Sequence, residues 1–509
     1  MSEHYKAFIV VIGITLIVFF LAKPFIVQFM AEADFGRRRN VWLFLVTAAF
    51  FVPNYWLYVL IAMVVLGVAA KRDPNPAAFY LFLILAIPPF ESDIPTLGLI
   101  KQIFPLNHLR LMSLAVLLPI AVSMLPSSGP AGLQREDPRI RTGVMATDVL
   151  ILLYCALQFA LWLPYDTLIA SVRRAVLFAI DIVLPYFVLS RACYNWRMVR
   201  EALAAFALAA MILSCIAMFE TARHWLLYTT LSEHWQSIGE IQYLMRGSSL
   251  RAQATGGHSI VLGYALAMAI GFWFALRTSS ASTKWRWLCI AMLIAGLMAT
   301  LARGPMVGAV AIVLLFQFLG PNASTRLLKI AFVAAGIAML VLVSPWGESF
   351  VDRLPFIGSD EGGSVAYRQQ LAEVSWRLVR QNPLFGSLTF MQSMEELRQG
   401  EGIIDLVNAY AGIALSFGLV GLGLFASFFA VAIVSSYVPS RRWMVSDPER
   451  SATGRALVAC VLGGLLTIST VGLYLSVAYL TWALAGLAVG YARLARVEAQ
   501  AQAHAGTWR

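Results

Sequence analysis

Charged residues are scarce in this chain of 509 residues: they make up 13% of it, whereas 60% of the residues are hydrophobic. Soluble domains contain about a quarter charged residues, and a chain this apolar would expose large apolar patches to water. The hydrophobic residues also cluster in runs of about 15–25, the helix length that crosses roughly 30 Å of hydrocarbon. The composition therefore excludes a soluble globular protein and predicts an all-α polytopic membrane protein.

Sequence signals for nucleotide, metal and redox chemistry are also missing. There is no G-x-x-x-x-G-K-[ST] phosphate loop, which argues against ATP hydrolysis, and no H-E-x-x-H zinc motif. The five cysteines have neither metal-ligand nor redox spacing, so we interpret them as small hydrophobic residues within helices. The sequence predicts neither a metal ion nor a cofactor.

A cleavable leader and an internal repeat are not evident either. No small-residue cleavage site follows the first apolar run, which predicts a retained first helix. Without a repeat, the sequence lacks the signature of inverted-repeat transporters. We count about fourteen apolar crossings of spanning length. One of them, residues 41–70, has Pro53-Asn54 near its middle and is either one kinked helix or two short helices.

Positive charge is in excess, with a formal net charge of +11, and it follows the predicted loops. When the C-terminal tail is placed in the cytoplasm, the short loops on that side carry most of the basic residues, as the positive-inside rule requires. No basic groove typical of nucleic-acid binding is evident. The charge therefore predicts a bacterial inner-membrane protein with a cytoplasmic C-terminus.

Two loops, at residues 220–259 and 344–408, are much longer than the others. Such long loops are usually functional or disordered, and their aromatic residues and amphipathic stretches favour folded segments. In the predicted orientation both lie on the outer, periplasmic side. They suggest N-terminal helices at residues 1–249, a central region at 250–440, and a C-terminal hairpin with a tail at 441–509.

Arginine dominates the basic residues of the outer side, and its planar fork suits phosphate oxygens. Arg303 lies in a tight turn between two apolar runs, where a charge is costly without a partner or a task. Arg368 is predicted on the apolar face of a helix at residues 364–379, whereas Arg377 and Arg380 fall on its polar face. The alternatives are an interfacial anchor for Arg303 and a structural salt bridge for Arg368.

Arg246 and Arg251 lie just before a helix that is predicted to begin near His258. Cations at a helix start add to the positive end of the helix dipole, which favours a bound anion. His258 is a candidate acid or base, and a helix cap or a surface residue is the alternative.

Four segments in the second half of the chain carry a resemblance to a known family. They are Leu250-Arg251-Ala252 with Gly256-Gly257-His258-Ser259, then Leu301-Ala302-Arg303-Gly304, then Tyr367-Arg368 with Asn382-Pro383-Leu384-Phe385-Gly386, and last Val407-Asn408-Ala409-Tyr410 with Gly418-Leu419-Val420-Gly421. In this order, around a long outer loop, they resemble the O-antigen ligase and Wzy-type polysaccharide polymerase superfamily. Where the family usually has histidine and asparagine, this chain has Val407 and Asn408, which favours the polymerase branch or a base supplied elsewhere.

The resemblance implies a metal-independent glycosyltransferase that polymerises polyprenyl-diphosphate-linked oligosaccharide repeats into exopolysaccharide or O-antigen. It implies that Arg251, Arg303 and Arg368 stabilise the leaving diphosphate and that a carboxylate takes the proton. We assign that role to Asp405, with Glu401 and Glu373 as alternatives on the same side. Substrate binding is assigned to Arg246, His258 and Asn408. Further expected partners are membrane lipid, a flippase and chain-length or export proteins.

Two other functions stay open. A ligase would transfer finished glycan to a lipid or protein acceptor. A transporter or flippase for polysaccharide or lipid would need a charged or broken helix in mid-membrane. Asp181 lies deep in an apolar run and Asp148 lies nearer the end of one, and the sequence suggests no clear partner for either.

Overall fold

The computed structural model describes residues 2–94, 104–124, 143–235, 241–277, 283–343, 362–398, 404–472 and 475–506. Its first helices are α1 Glu3–Ile26, α2 Glu32–Phe51, α3 Tyr55–Arg72, α4 Pro76–Leu83, α5 His108–Met124 and α6 Ala146–Trp162. There follow α7 Leu168–Phe178, α8 Leu184–Leu189, α9 Trp196–Arg223, α10 Thr229–Trp235, α11 Ser259–Leu276 and α12 Thr283–Ala299. The last are α13 Arg303–Phe318, α14 Ala323–Val343, α15 Gly362–Gln381, α16 Ala409–Ser446, α17 Pro448–Ile468 and α18 Leu475–Gly506.

The described residues also form two short antiparallel strand pairs, β1 Glu91–Asp93 with β2 Pro105–Asn107 and β3 Met245–Arg246 with β4 Ser249–Leu250. Seven of the described helices are long and apolar enough to cross a membrane, and α5, α6 and α13 are shorter apolar helices. Each apolar run predicted from the sequence contains a helix. An all-α polytopic membrane protein is confirmed, whereas a total of about fourteen crossings stays a prediction.

Residues 41–70 belong to two helices, which decides between the alternatives left by the sequence. Helix α2 ends at Phe51 and α3 begins at Tyr55. Between them, the side chain of Asn54 accepts hydrogen bonds from the backbone N–H groups of Trp56 and Leu57 at 2.9 and 3.1 Å. Asparagine is among the best residues at this position because it satisfies N–H groups that lack a partner within the helix.

Helix α4 is much shorter than its apolar run. It has 8 residues, and the chain continues through residues 84–90 without regular structure, almost all of it buried. Non-helical backbone at membrane depth is tolerated where protein surrounds it. The side chain of Thr255 donates to the carbonyl of Leu85 at 2.6 Å, and Tyr55 Oη donates to that of Leu106 at 2.7 Å.

The two chain termini lie at opposite ends of the bundle. Near the N-terminus, His4 Nε2 lies 2.6 Å from the Phe50 carbonyl, and its ring stacks on His234 in the first long loop at 4.7 Å. At the other end, Arg38 forms a buried ion pair with Asp73 at 2.7 Å. Arg38 also reaches Glu201 at 2.8 Å, near the start of α9, and α9 leads from this end back to the first long loop. The C-terminal helix reaches the same end as Arg38, because its Glu498 accepts at 3.1 Å from Nε1 of Trp196, the first residue of α9.

Both acidic residues that the sequence left without a partner have one, so that expectation is wrong. Arg110 Nη2 lies 2.8 Å from Asp181 Oδ2. Asp148 is bound by Arg191 at 3.1 Å and by Arg493 at 2.5 Å. Sequence reasoning could not find these pairs because each joins segments that are far apart in the chain. Neutralised in this way, the two carboxylates bind bundle helices to one another.

Helix α16 is interrupted at Gly418, where φ is 65° and ψ is −169°. The segment at residues 383–387 fills the break: Ser387 N donates to Leu415 O at 2.8 Å, and Leu419 N donates to Pro383 O at 2.8 Å. Gly386 also has positive φ, and a Cβ there would lie 2.4 Å from Leu415 O. Two of the motifs found in the sequence therefore form one interlocked joint.

Candidate functional site

Glu220, in the last turn of α9, organises the first long loop. It is 1% exposed, and its carboxylate accepts backbone hydrogen bonds from Leu227 at 3.1 Å, Gln253 at 3.0 Å and Ala254 at 2.9 Å. A buried carboxylate needs such bonds to offset its lost hydration. Because these contacts tie both ends of the loop to one helix, they fix the backbone immediately after Arg251.

Backbone hydrogen bonds fix the chain on both sides of Arg251. Its N–H donates to Leu244 O at 2.9 Å, and that of Ala252 donates to Ala299 O at 3.1 Å. Its Nε is buried and has no hydrogen-bond partner among the described residues. Burial, and then the charge of Arg246, lower the pKa of Arg251 to about 10. Arg251 is thus a cation at neutral pH with a buried donor available to an anion.

Arg246 joins this loop to the turn that carries Arg303. Arg246 Nη1 donates to the Leu301 carbonyl at 2.5 Å. Leu301 has a φ of 49°, which is rare for a bulky residue and reverses the chain between α12 and α13. Arg246 and Arg303 therefore flank the same tight turn.

Arg303 is the first residue of α13 and lies at the end of the bundle that carries His258. Pro305 packs so closely on α11 that a Cβ at Gly263 would lie 2.9 Å from Pro305 Cβ. Gly263 is in the first turns of α11, shortly after His258. The starts of α11 and α13 consequently lie side by side.

His258 caps α11: its Nδ1 accepts the N–H of Ile260 at 3.2 Å. The cap given as an alternative from the sequence is therefore confirmed. Burial lowers the pKa of His258 to about 4, helped by the charge of Arg251 and opposed by that of Asp405. With Nδ1 accepting, the neutral ring carries its proton on Nε2, which makes it a hydrogen-bond donor at pH 7.

Asp405 connects the second long loop to the same place, since its charge acts on His258. Tyr367 Oη donates to the Asp405 carbonyl at 2.9 Å and accepts the Asp405 N–H at 3.0 Å. Three residues on, the side chain of Asn408 caps α16 by accepting from the N–H groups of Tyr410 and Ala411. The side-chain oxygen of Asn408 is thereby committed to the helix.

Arg368 does not lie on the packing face of its helix, contrary to the prediction: its side chain is exposed. The predicted apolar face is correct from Leu371 onward, with Leu371 3% and Val374 4% exposed. Among the described side chains, the buried stripe begins with Leu371, about one turn after Arg368, where α15 packs on the start of α16. Arg377 and Arg380 are exposed, as predicted. Glu401 lies outside the described residues.

The starts of α11, α13 and α16 lie together at this site. The end of α17 contacts two of these starts: Tyr410 Oη donates to Leu465 O at 2.8 Å, and a Cβ at Gly304 would lie 2.7 Å from Thr470 Oγ1. Helix N-termini carry partial positive charge. Together with Arg246, Arg251 and Arg303 they suit a polyanion, and Asp405 and His258 add a proton acceptor and a neutral donor.

Sequence reasoning missed two residues of this arrangement, Glu220 and Tyr367. A weak signal existed for each. Glu220 is an acidic residue directly after a long apolar run, and Tyr367 directly precedes Arg368 in a motif. Their roles depend on contacts with loop backbone far along the chain, which no local pattern reveals.

The fold and this site define a polytopic helical membrane protein with a cationic site at one end of its bundle. Residues 287–426 match the family model described as O-antigen ligase. The match confirms the resemblance to the O-antigen ligase and Wzy superfamily. It includes Arg303, Arg368, Asp405 and Asn408, whereas Arg246, Arg251 and His258 precede it. No curated protein matches the chain.

Proposed function

We propose that this protein is a glycosyltransferase of the outer leaflet that polymerises polyprenyl-diphosphate-linked oligosaccharide repeats. The observation that carries the proposal is the convergence of Arg246, Arg251 and Arg303 with His258 and Asp405 at three helix starts. A family model described as O-antigen ligase supports the reaction class.

The donor is activated by its own sugar–diphosphate bond, so no nucleotide is required. The acceptor hydroxyl attacks the anomeric carbon, a new glycosidic bond forms, and the bond to the diphosphate breaks with its electron pair on the leaving oxygen. Arg251 and Arg303 neutralise the growing negative charge, which favours the transition state over the ground state.

Asp405 is proposed to accept the proton of the attacking hydroxyl. Its backbone is fixed on both sides by Tyr367, which sets the position from which the carboxylate reaches the site. General bases of this kind work by geometry first and pKa second. His258 is proposed to donate a hydrogen bond from Nε2 to substrate, and Arg368, exposed near Tyr367, to bind substrate from the solvent side.

A ligase is the second candidate, because the matched family model carries that description. In a ligase the same site would transfer finished glycan to a lipid or protein acceptor. The transporter alternative loses support, because Asp148 and Asp181 are paired and the break in α16 is filled by residues 383–387.

Deletion of the gene, followed by analysis of lipid-linked and surface glycan, tests the proposal. A polymerase predicts loss of polymer with single lipid-linked repeats retained. Retained lipid-linked polymer that fails to reach its acceptor would instead identify a ligase. Unchanged polymer length and attachment would reject both. Purified protein with a lipid-linked repeat as the sole substrate should make longer products if it is a polymerase.

A further inference from the structure

A groove between α16 and α18 lies at the end of the bundle opposite the arginine site. It is open to the surface and has a volume of about 700 Å³, which is within the usual size range of ligand sites. Small apolar side chains form much of its wall, among them Val434, Val438, Ala492 and Ala495. A polar anion alone would not need such a wall.

Two arginines line the groove, Arg442 from α16 and Arg496 from α18. Both are exposed, and within the described residues neither forms an ion pair or a side-chain hydrogen bond. The carboxylate that also lines the cavity, Glu498, is engaged elsewhere: it accepts from Arg450 at 2.8 Å and from Trp196 Nε1 at 3.1 Å. The groove therefore has two positive charges that no carboxylate of its wall neutralises.

The side chains around the groove resemble those found where hydrocarbon meets the headgroup layer. On α16, Val434 is 58% and Val438 is 42% exposed, as expected for side chains that face acyl chains. Beside them, the rings of Trp196, Trp443 and Tyr491 pack with centroid separations of 4.8, 5.3 and 6.0 Å. Aromatic residues of this kind concentrate at the membrane interface.

We propose that this groove binds an anionic phospholipid, with the phosphate between Arg442 and Arg496 and an acyl chain along Val434 and Val438. A lipid satisfies both parts of the groove, because its headgroup meets the charges and its chains meet the apolar wall. Basic pockets between helices on the cytoplasmic side recognise such headgroups. The site shares no residue with the proposed active site, so either proposal stands without the other.

Native mass spectrometry of the full-length protein in detergent tests this site. The probes are dioleoyl phosphatidylglycerol, dioleoyl phosphatidylcholine with the same chains, and glycerol phosphate without chains. The wild type should retain the anionic lipid in preference to the zwitterionic one, and glycerol phosphate should not displace it. The double variant Arg442→Gln/Arg496→Gln should bind phosphatidylglycerol roughly thirtyfold more weakly, since each interfacial arginine contributes to the attraction.

Arg441→Gln is the matched control, because Arg441 is an exposed neighbour that contacts Tyr437 Oη and does not line the cavity. The lysine pair Arg442→Lys/Arg496→Lys should keep binding, which separates lost charge from misfolding. The proposal is overturned if the glutamine pair retains the lipid, or if the wild type binds both lipids equally. Full displacement by glycerol phosphate would also overturn it in favour of a soluble anion.

Discussion

The arginines of the site differ in how the fold holds them, and this decides which one an anion needs most. Arg246 already uses Nη1 on the Leu301 carbonyl, so part of its fork serves the turn. Arg251 keeps a buried Nε that bonds to no described residue. Arg303 stands at the first residue of α13, where the helix dipole adds to its charge.

Arg251→Lys and Arg303→Lys should each lower kcat/KM although the charge is kept. A lysine is a point charge and loses one of the two bonds of the arginine fork, a loss of roughly 10- to 100-fold for a charged hydrogen bond. Activity is to be measured per amount of inserted protein. Arg380→Lys is the control, because Arg380 is exposed and stacks on Trp376 at 4.8 Å. Full activity of both Arg251→Lys and Arg303→Lys would show that these arginines do not bind the diphosphate through a two-bond fork.

Asp405→Asn should reduce polymer formation by roughly 100-fold or more, because an amide cannot accept the hydroxyl proton. Glu395→Gln in the same loop should leave the rate unchanged, since Glu395 is an exposed residue paired with Arg398. Initial rates with a lipid-linked repeat, at equal abundance of both variants, give the comparison. Equal rates for the two would remove Asp405 from the mechanism.

The pH profile should show no step from His258 between pH 5.5 and 8. Its folded pKa of about 4 lies below the ordinary histidine value, so the ring stays neutral throughout this range and takes a proton only as the pH falls toward 4. The ratio of the wild-type rate to that of His258→Asn, which keeps a helix cap, should therefore be constant from pH 5.5 to 8. A change in this ratio near pH 6.5 would mean that His258 titrates as an exposed histidine.

Among the elements, the joint between residues 383–387 and α16 restricts the choice of residue most strongly. With φ 65° and ψ −169°, Gly418 adopts a backbone conformation that is essentially restricted to glycine, and an L-residue there would cost about 1–3 kcal/mol. Its Cβ would also lie 2.2 Å from the Leu384 carbonyl oxygen. The atoms nearest to this Cβ belong to the backbone of Leu384 and Phe385, so the clash cannot be relieved by rotating a side chain.

Gly418→Ala should therefore lower the melting temperature in detergent and the amount of protein in the membrane. Gly423→Ala, in the same helix, is the control: nothing lies within 4 Å of its new Cβ. Alanine in a helix interior is favoured over glycine by about 1 kcal/mol, so that variant should be neutral or slightly stabilised. Similar melting temperatures for the two variants would contradict the joint.

Helix type and position could be predicted from the sequence, because apolar runs and helical spacing are local properties. The apolar face of α15 was correct at Leu371 and Val374, and the break at Pro53-Asn54 was visible. What failed depends on contacts across the chain. The partners of Asp181 and the exposure of Arg368 follow from which helices pack together, and one sequence does not reveal this.

For the whole molecule, reporters should place the N-terminus and the first long loop on one side and the C-terminus on the other. The stacking of His4 on His234 requires the first two to share a face. The basic short loops predict that this face is the outer one. A reporter before Glu3 and one at Gly247 should read outside, and one after Gly506 inside. Different readings at Glu3 and Gly247 would contradict the fold, and an inside reading at both would contradict outer-leaflet chemistry.

At this scale the sequence predicted the membrane class and located most of the candidate site. Arg246, Arg251, His258 and Asp405 do lie near one another. The residues that hold them in place, Glu220 and Tyr367, were not predicted, because each acts through backbone groups of a distant segment. Their roles as catalytic or substrate-binding residues stay predictions until the variants are measured.

The filled break in α16 has a consequence for how the chain is assembled. Residues 383–387, here called the plug, leave the ribosome before Gly418 does. The plug is therefore synthesised before the break in α16 that it fills. If α16 entered the bilayer already broken, Leu415 O and Leu419 N–H would meet lipid without a partner, at several kcal/mol for each group. We therefore expect the nascent segment to insert as an unbroken helix and to open at Gly418 only when the plug docks. Deletion of residues 383–387 should then leave the inserted protein with a straight α16.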